Sequence, residues 1–393
     1  MTVLTTSAGK LSVRAASPAA GYRVELLADW QQAVARWKAL DPSTPFQHPQ
    51  WYAAWYGAFG GQVEPLIAII TDATTGEQAA LLPLIRRHQN GIGIVEFADI
   101  NLTDYNAPLL GPAAPRDAKA ARTMWRNLRA VLRQMPGGAD LIRLRKLPVD
   151  LDGRTNPFAL LDASAPCALN GNLVTTGEDY DAWRYTLEKT VRKELERSWR
   201  VFTRDPSATF KFAGERDEAL KILSTTEAQQ GARMQDLGLN FILNDATCAA
   251  FYRNLVRDGV GNGYALVSAL MAGEEVVATL LGIRVGSRYV MIRISNAGDK
   301  WSNCSPGRLI IERTMAALHE DGVREFDFSI GNYAYKRRFG VKRLPLVDLS
   351  GALSWRGSPY ALRDRVAREL RCYPKLNARL KRAFGKPPPR EES

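Results

Sequence analysis

The sequence predicts an α+β protein built from two copies of one domain plan, and three observations carry that prediction. The order of two amphipathic helices, three β-rich runs, a long helix and a further strand occurs twice in register. Within each copy the β-rich runs are joined by short polar turns, the pattern of an antiparallel meander. The chain has 393 residues, room for two or three domains at about 150 residues each.

Residues 1–21 are small and polar, with no apolar run behind a basic cluster. They read as a disordered start and not as a secretory signal. The first domain is expected over 22–165, with helices at 28–40 and 49–59, strands at 65–71, 78–85 and 92–97, a helix at 116–134 and a strand at 141–146. The second is expected over 166–355, with helices at 215–235 and 245–257, strands at 264–271, 275–285 and 288–295, a helix at 306–320 and a strand at 325–329. It includes a central basic helix at 179–202, where Trp183, Leu187, Val191, Leu195 and Trp199 recur every four residues opposite Arg192, Lys193, Arg197 and Arg200. Residues 356–393 read as a basic amphipathic extension, with Leu362, Val366, Leu370, Tyr373, Leu376, Leu380 and Phe384 at spacings of three and four and a bend or split at Pro374.

Composition narrows the class of function. Apolar residues make up 46% and charged residues 24%, as in an ordinary globular chain, and no run reaches the ~20 apolar residues that span a bilayer. The expected location is the cytoplasm. Cys167, Cys248, Cys304 and Cys372 lie far apart, and His48, His88 and His319 are the three histidines, so neither a metal site nor a disulfide framework is expected. The net charge is +12, but residues 356–393 hold eleven basic and four acidic residues, more than half of the excess. Basic charge gathered at one end argues against nucleic acid, which calls for a broad basic face. It suits an anionic membrane surface, an acidic partner or a nucleotide ligand equally well. The membrane reading, through 358–384, would place the protein peripherally at the inner face of the membrane, and the other reading packs the helix on the protein body.

The densest chemical signal lies at 303–340. Ser305-Pro306-Gly307 stands directly before an apolar-periodic helix, where a cap, a fixed φ and a missing Cβ leave backbone N–H groups to an anion. Arg308 adds a counter-charge. The segment continues through Phe326-Asp327-Phe328-Ser329-Ile330-Gly331 to Tyr335-Lys336 and Phe339-Gly340. Together these motifs resemble the C-terminal signature of the CelD-type acyltransferases, which belong to the GNAT superfamily and are related to FemAB-type peptidyltransferases. Pro45-Phe46-Gln47-His48-Pro49 with Trp51 and Trp55, Asp104-Tyr105 before Pro108, and the basic run 190–200 resemble further parts of the family. The likeness covers roughly residues 22–350.

The resemblance implies two tandem GNAT-like domains, with mostly antiparallel sheets flanked by helices, and N-acyl transfer in making envelope or exopolysaccharides. It implies acetyl-CoA as co-substrate, its pyrophosphate on Ser305, Gly307 and Arg308, and a nucleotide- or lipid-linked amino sugar or polysaccharide as acceptor. Lys336 would stabilise negative charge, Tyr335 would protonate a thiolate, and Asp104 would act as base or orient the amine. Tyr105, Arg192, Arg197 and Asp327 are the candidate substrate contacts. Asn332 and Tyr333 stand where many members carry acidic residues, so no base is expected from that loop. Acyl transfer from a thioester requires neither a metal nor an attacking side chain, which suits a chain poor in His and Cys clusters. Two rivals share this fold: a transferase using charged tRNA, and a non-catalytic protein that binds a nucleotide or a synthase partner.

Overall fold

The computed structural model describes residues 12–15 and 21–371. The chain forms two compact units, one made of residues 1–52, 60–170 and 344–393, the other of 53–59 and 171–343.

The sheet of the first unit runs Ser12–Ala15, Tyr22–Leu27, Glu64–Asp72, Gln78–Gln89, Ile92–Phe97, Leu141–Pro148, Leu346–Ala352 and Ala165–Pro166, with Leu109–Leu110 paired on Gln78–Gln89. Its strands Ile92–Phe97 and Leu141–Pro148 are parallel, pairing from Ile94–Leu141 to Glu96–Arg143. Parallel neighbours need a crossover, and the helix Ala118–Gln134 supplies it. Asp117 caps this helix by accepting the Ala120 N–H at 2.8 Å, while Met124, Leu128 and Val131 bury its inner face in the core.

The second unit repeats the plan. Its sheet runs Ala208–Phe212, Ala265–Ala272, Glu275–Val285, Arg288–Asn296, Glu325–Asp327, Gly171–Thr175 and Lys342–Leu344. Arg288–Asn296 and Glu325–Asp327 are parallel and pair from Arg288–Glu325 to Val290–Asp327. The crossover is the helix Pro306–Glu320, packed through Leu309, Ile310, Met315 and Leu318.

Both meanders and both crossovers lie where the sequence places them, and the fold is α+β with one plan used in both units. Four details differ. Ser12–Ala15 is a strand antiparallel to Tyr22–Leu27, so the segment 1–21 is not disordered throughout. The central helix is two helices, Tyr180–Thr186 and Lys189–Phe202, because Leu187 and Glu188 are extended. The apolar stripe survives this break, since Trp183, Leu187, Val191 and Leu195 are all buried in one core, and the Thr186 hydroxyl donates to the Trp183 carbonyl at 2.7 Å.

The third difference concerns the boundary expected at 355. Leu346–Ala352 belongs to the first sheet, where it lies antiparallel to Leu141–Pro148. Fourth, the helix Ser358–Arg371 packs on the first unit with Tyr360 and Ala361 against Ile92, Ile94 and Leu141, while Leu362 and Val366 are 61% and 44% exposed. The expected helical residues beyond 371, including Pro374, lie outside the described residues.

Leu349 is fully buried in the core of the first unit although it lies 201 positions after Pro148. Leu349→Ala is expected to cost about 2–5 kcal/mol by cavity formation, read as a lower midpoint of urea unfolding; an unchanged midpoint would contradict the strand exchange.

Candidate functional site

The second unit holds most of the sequence-predicted residues. Ser305 has a left-handed backbone (φ 47°) that turns the chain into the helix Pro306–Glu320, and its carbonyl accepts from the Arg308 and Leu309 N–H groups at 3.0 and 3.1 Å. A Cβ at Gly307 would meet the Asn296 amide nitrogen at 3.5 Å, an ordinary contact, so the glycine is not demanded by crowding. Arg308 donates to the Ser305 hydroxyl at 2.9 Å and to the Glu194 carboxylate at 2.7 Å. Glu194 also takes Arg338 at 3.0 Å. Its slight burial works to raise its pKa, but the two arginines outweigh this and hold it below the ordinary carboxylate range. Arg197 reaches the Asn303 carbonyl at 3.5 Å. The central helix and the 303–308 turn thus form one ionic cluster. Arg192, the other candidate substrate contact on this helix, lies over the Tyr185 ring at 4.8 Å.

Tyr335 and Lys336 sit on the short helix Ala334–Arg338. Lys336 is 3% exposed, and its ammonium donates to the Ile330 carbonyl at 2.6 Å beneath the Tyr333 ring. Burial, and then the neighbouring Tyr333, push the Tyr335 phenol well above its ordinary pKa, so it stays protonated and is a donor rather than a base. Asp327 is 1% exposed; it takes Arg288 at 2.5 Å and the Ser329 N–H at 2.7 Å. These bonds make Asp327 a structural anchor of the strand end, a correction to its expected substrate contact. Cys304 is fully buried, donates to the Trp301 carbonyl at 3.0 Å, and has a thiol pKa raised by burial, which opposes a thiolate nucleophile.

Asp104 and Tyr105 lie in the first unit. Tyr105 is 1% exposed and packs edge-on against Phe46 at 5.7 Å, so it supports the core instead of touching substrate. The hub of this loop is Asp99, which accepts from the Thr103 N–H at 2.9 Å and the Asn106 amide at 2.9 Å and pairs with Lys146 at 2.7 Å. Asp99, unlike Asp104, lines a cavity of about 550 Å³ that opens where the parallel strands stop pairing, between Glu96 and Phe97 on one side and Arg143, Arg145 and Lys146 on the other. A cavity in the second unit lined by Tyr289, Met291, Phe326 and Phe328 measures about 10 Å³. The larger one escaped sequence reasoning. Its signal was the alternation of Arg143 and Arg145 with apolar residues inside a strand otherwise suited to burial. Among the described residues, no group of three or more His, Cys, Asp or Glu is arranged to hold a metal ion.

Residues 189–337 match the family described as "Acetyltransferase (GNAT) domain". This segment contains the meander, the crossover helix and the 305–308 turn, so the second unit carries an acyltransferase domain of the GNAT type. No curated protein sequence matches the chain. Among solved structures, that of FemX is similar over 81% of this chain and 95% of its own, with 11% identity and a TM-score of 0.55. A conserved protein of unknown function from Bacteroides thetaiotaomicron VPI-5482 is similar over 84% and 99%, with 10% identity and a TM-score of 0.51. At these identities the likeness is one of fold. A tandem GNAT protein from the clavulanic acid biosynthesis pathway aligns over 85% and 99%, with 10% identity and a TM-score of 0.47.

Asp327→Ala removes the buried partner of the half-buried Arg288 and the acceptor of the Ser329 N–H. It is expected to destabilise the second unit by about 3–5 kcal/mol, measured by chemical denaturation; a stable variant impaired in substrate affinity alone would restore the substrate-contact role.

Proposed function

We propose that the chain is an N-acyltransferase that moves an acetyl group from acetyl-CoA to an amine of an amino-sugar unit in an envelope or exopolysaccharide precursor. The observation that carries this reading is the acetyltransferase domain at 189–337 with Ser305–Arg308 at the start of its crossover helix. The cations at the turn fit a diphosphate: Arg308 on the turn and Arg338 on the helix Ala334–Arg338 share Glu194, whose side chain is 44% exposed. Exposed pairs are worth at most about 1 kcal/mol, so an incoming diphosphate displaces Glu194 at little cost and gains charge-assisted bonds to both arginines.

In the transfer, a C–N bond forms as the thioester C–S bond breaks. The amine loses one proton, and the departing thiolate gains one. The protonated Tyr335 phenol is the donor suited to the thiolate, and the buried Lys336 ammonium stabilises negative charge nearby. Transfer from charged tRNA is the rival reading on this fold.

The helix Ser358–Arg371 bears on location. No described helix is long and apolar enough to cross a membrane. Trp355 is 83% exposed, Leu362 and Val366 are partly exposed, and Arg356, Arg363 and Arg365 lie between them in sequence. Apolar side chains interleaved with cations favour an anionic lipid surface, at about 1 kcal/mol per nearby cation.

Two measurements test these readings. Acetyl-CoA at about 100 times its Kd is expected to stabilise the protein by about 2.7 kcal/mol, and Arg308→Ala to weaken that binding about tenfold, or ~1.4 kcal/mol; stabilisation by tRNA in place of acetyl-CoA would support the rival. Separately, the full chain is expected to pellet with vesicles containing anionic lipid more than a chain carrying Leu362→Glu and Val366→Glu does. Equal pelleting rules out the surface contact.

A further inference from the structure

The cavity of the first unit has features that acyl transfer does not use. It is walled by Glu96 and Phe97, by the loop containing Asp99, Ile100 and Asn101, by Arg143–Lys146, and by the helix Ser358–Arg371. Its volume of about 550 Å³ lies within the range of small-ligand pockets, about 300–1,000 Å³. Its lining differs from an ordinary hydrophobic pocket, for it contains six cationic side chains and four carboxylates.

The cations are not equally engaged. Arg87 pairs with Glu96, and Lys146 with Asp99. Arg143 is 6% exposed and donates through Nε to Asp364 at 2.7 Å, yet its buried Nη2 has no hydrogen-bond partner among the described residues. A buried guanidinium nitrogen left in this way is costly. Arg145, two residues on, is exposed at the cavity. Arg363 and Arg368 enter from the C-terminal helix. The wall therefore combines positive charge with the polar side chains of Asn101, Asn106, Asp348 and Glu96.

The backbone adds a second, independent feature. Ile100, Asn101 and Lys146 all have positive φ, at 44°, 61° and 56°. For a β-branched residue such as Ile100 this is a true outlier. Such residues cost about 1–3 kcal/mol each and persist where the surroundings hold them, chiefly at ligand sites. Here the Asp99–Lys146 pair and the bonds of Asp99 to Thr103 and Asn106 hold the loop in place. The strained residues line the cavity.

We propose that this cavity binds a small polyhydroxylated oxyanion, a sugar phosphate or a uronate, with the anionic group on Arg143 and Arg145 and the hydroxyls on the surrounding amides and carboxylates. Arg forks match carboxylate and phosphate oxygens in pairs, and the interleaved carboxylates accept from hydroxyls, which a bare inorganic anion lacks. This site is separate from the proposed donor turn and does not rest on the acyl-transfer reading.

Calorimetry on the full chain at low salt tests the proposal, with glucose 6-phosphate, glucuronate and inorganic phosphate as probes. Glucose 6-phosphate or glucuronate is expected to bind saturably and at least tenfold more tightly than inorganic phosphate. Arg145→Glu, at an exposed position, is expected to weaken that binding at least tenfold with an unchanged unfolding midpoint, whereas Arg308→Ala leaves it intact. No binding of either sugar, binding of inorganic phosphate with equal strength, indifference to Arg145→Glu, or loss in Arg308→Ala would each overturn it. Loss of acetyl-CoA binding with sugar binding retained would count against the donor reading alone.

Discussion

Each unit depends on how one parallel strand satisfies its backbone hydrogen bonds. Leu141–Pro148 pairs with Ile92–Phe97 on one side, and Glu325–Asp327 pairs with Arg288–Asn296 in the same way. The outer edge of each would otherwise leave a row of unpaired N–H and C=O groups. Leu346–Ala352 covers the first edge and Gly171–Thr175 the second, both antiparallel. The first unit thereby takes its last long strand from beyond the second, and the helix Ser358–Arg371 follows that strand onto the same unit. The parallel pairing is short in both sheets. Where it ends in the first unit the two strands are free to line a cavity, and the charged residues there face space instead of a neighbouring strand.

The cations of the two units illustrate why composition is a poor guide to a site. Arg308 and Arg338 share Glu194 near solvent, in pairs that an incoming anion can replace. Arg288 is committed to Asp327, whose side chain is fully buried, and that pair belongs to the framework. Arg143 lies between these cases, for it is buried and half engaged. Local charge is the same in all three; burial and the number of partners separate a ligand contact from a structural one.

Much of the architecture was legible in the residues. The repeated order of helices and strands follows from hydrophobic period, since 3.6 and 2.0 are properties of local geometry. The apolar stripe of the central segment was likewise readable, because Trp183, Leu187, Val191 and Leu195 share one buried side whether or not the helix is continuous. The break at Leu187 and Glu188 was not, since it depends on where that stripe meets its core. Among the candidate residues, Ser305, Arg308 and Lys336 stand out by motif, while Tyr105 and Asp327 carry the same motif signal and prove to be buried supports.

The sequence by itself determined the class of fold, the duplication, and the position of each meander and crossover helix, because these rest on contacts between residues near one another along the chain. Tertiary structure alone decided which sheet receives Leu346–Ala352, which face of Ser358–Arg371 is covered, and that Asp99, Arg143 and Lys146 meet around one cavity. Those outcomes join segments up to about two hundred residues apart, and edge pairing and charge compensation at such separations leave no periodic trace in the order of the residues.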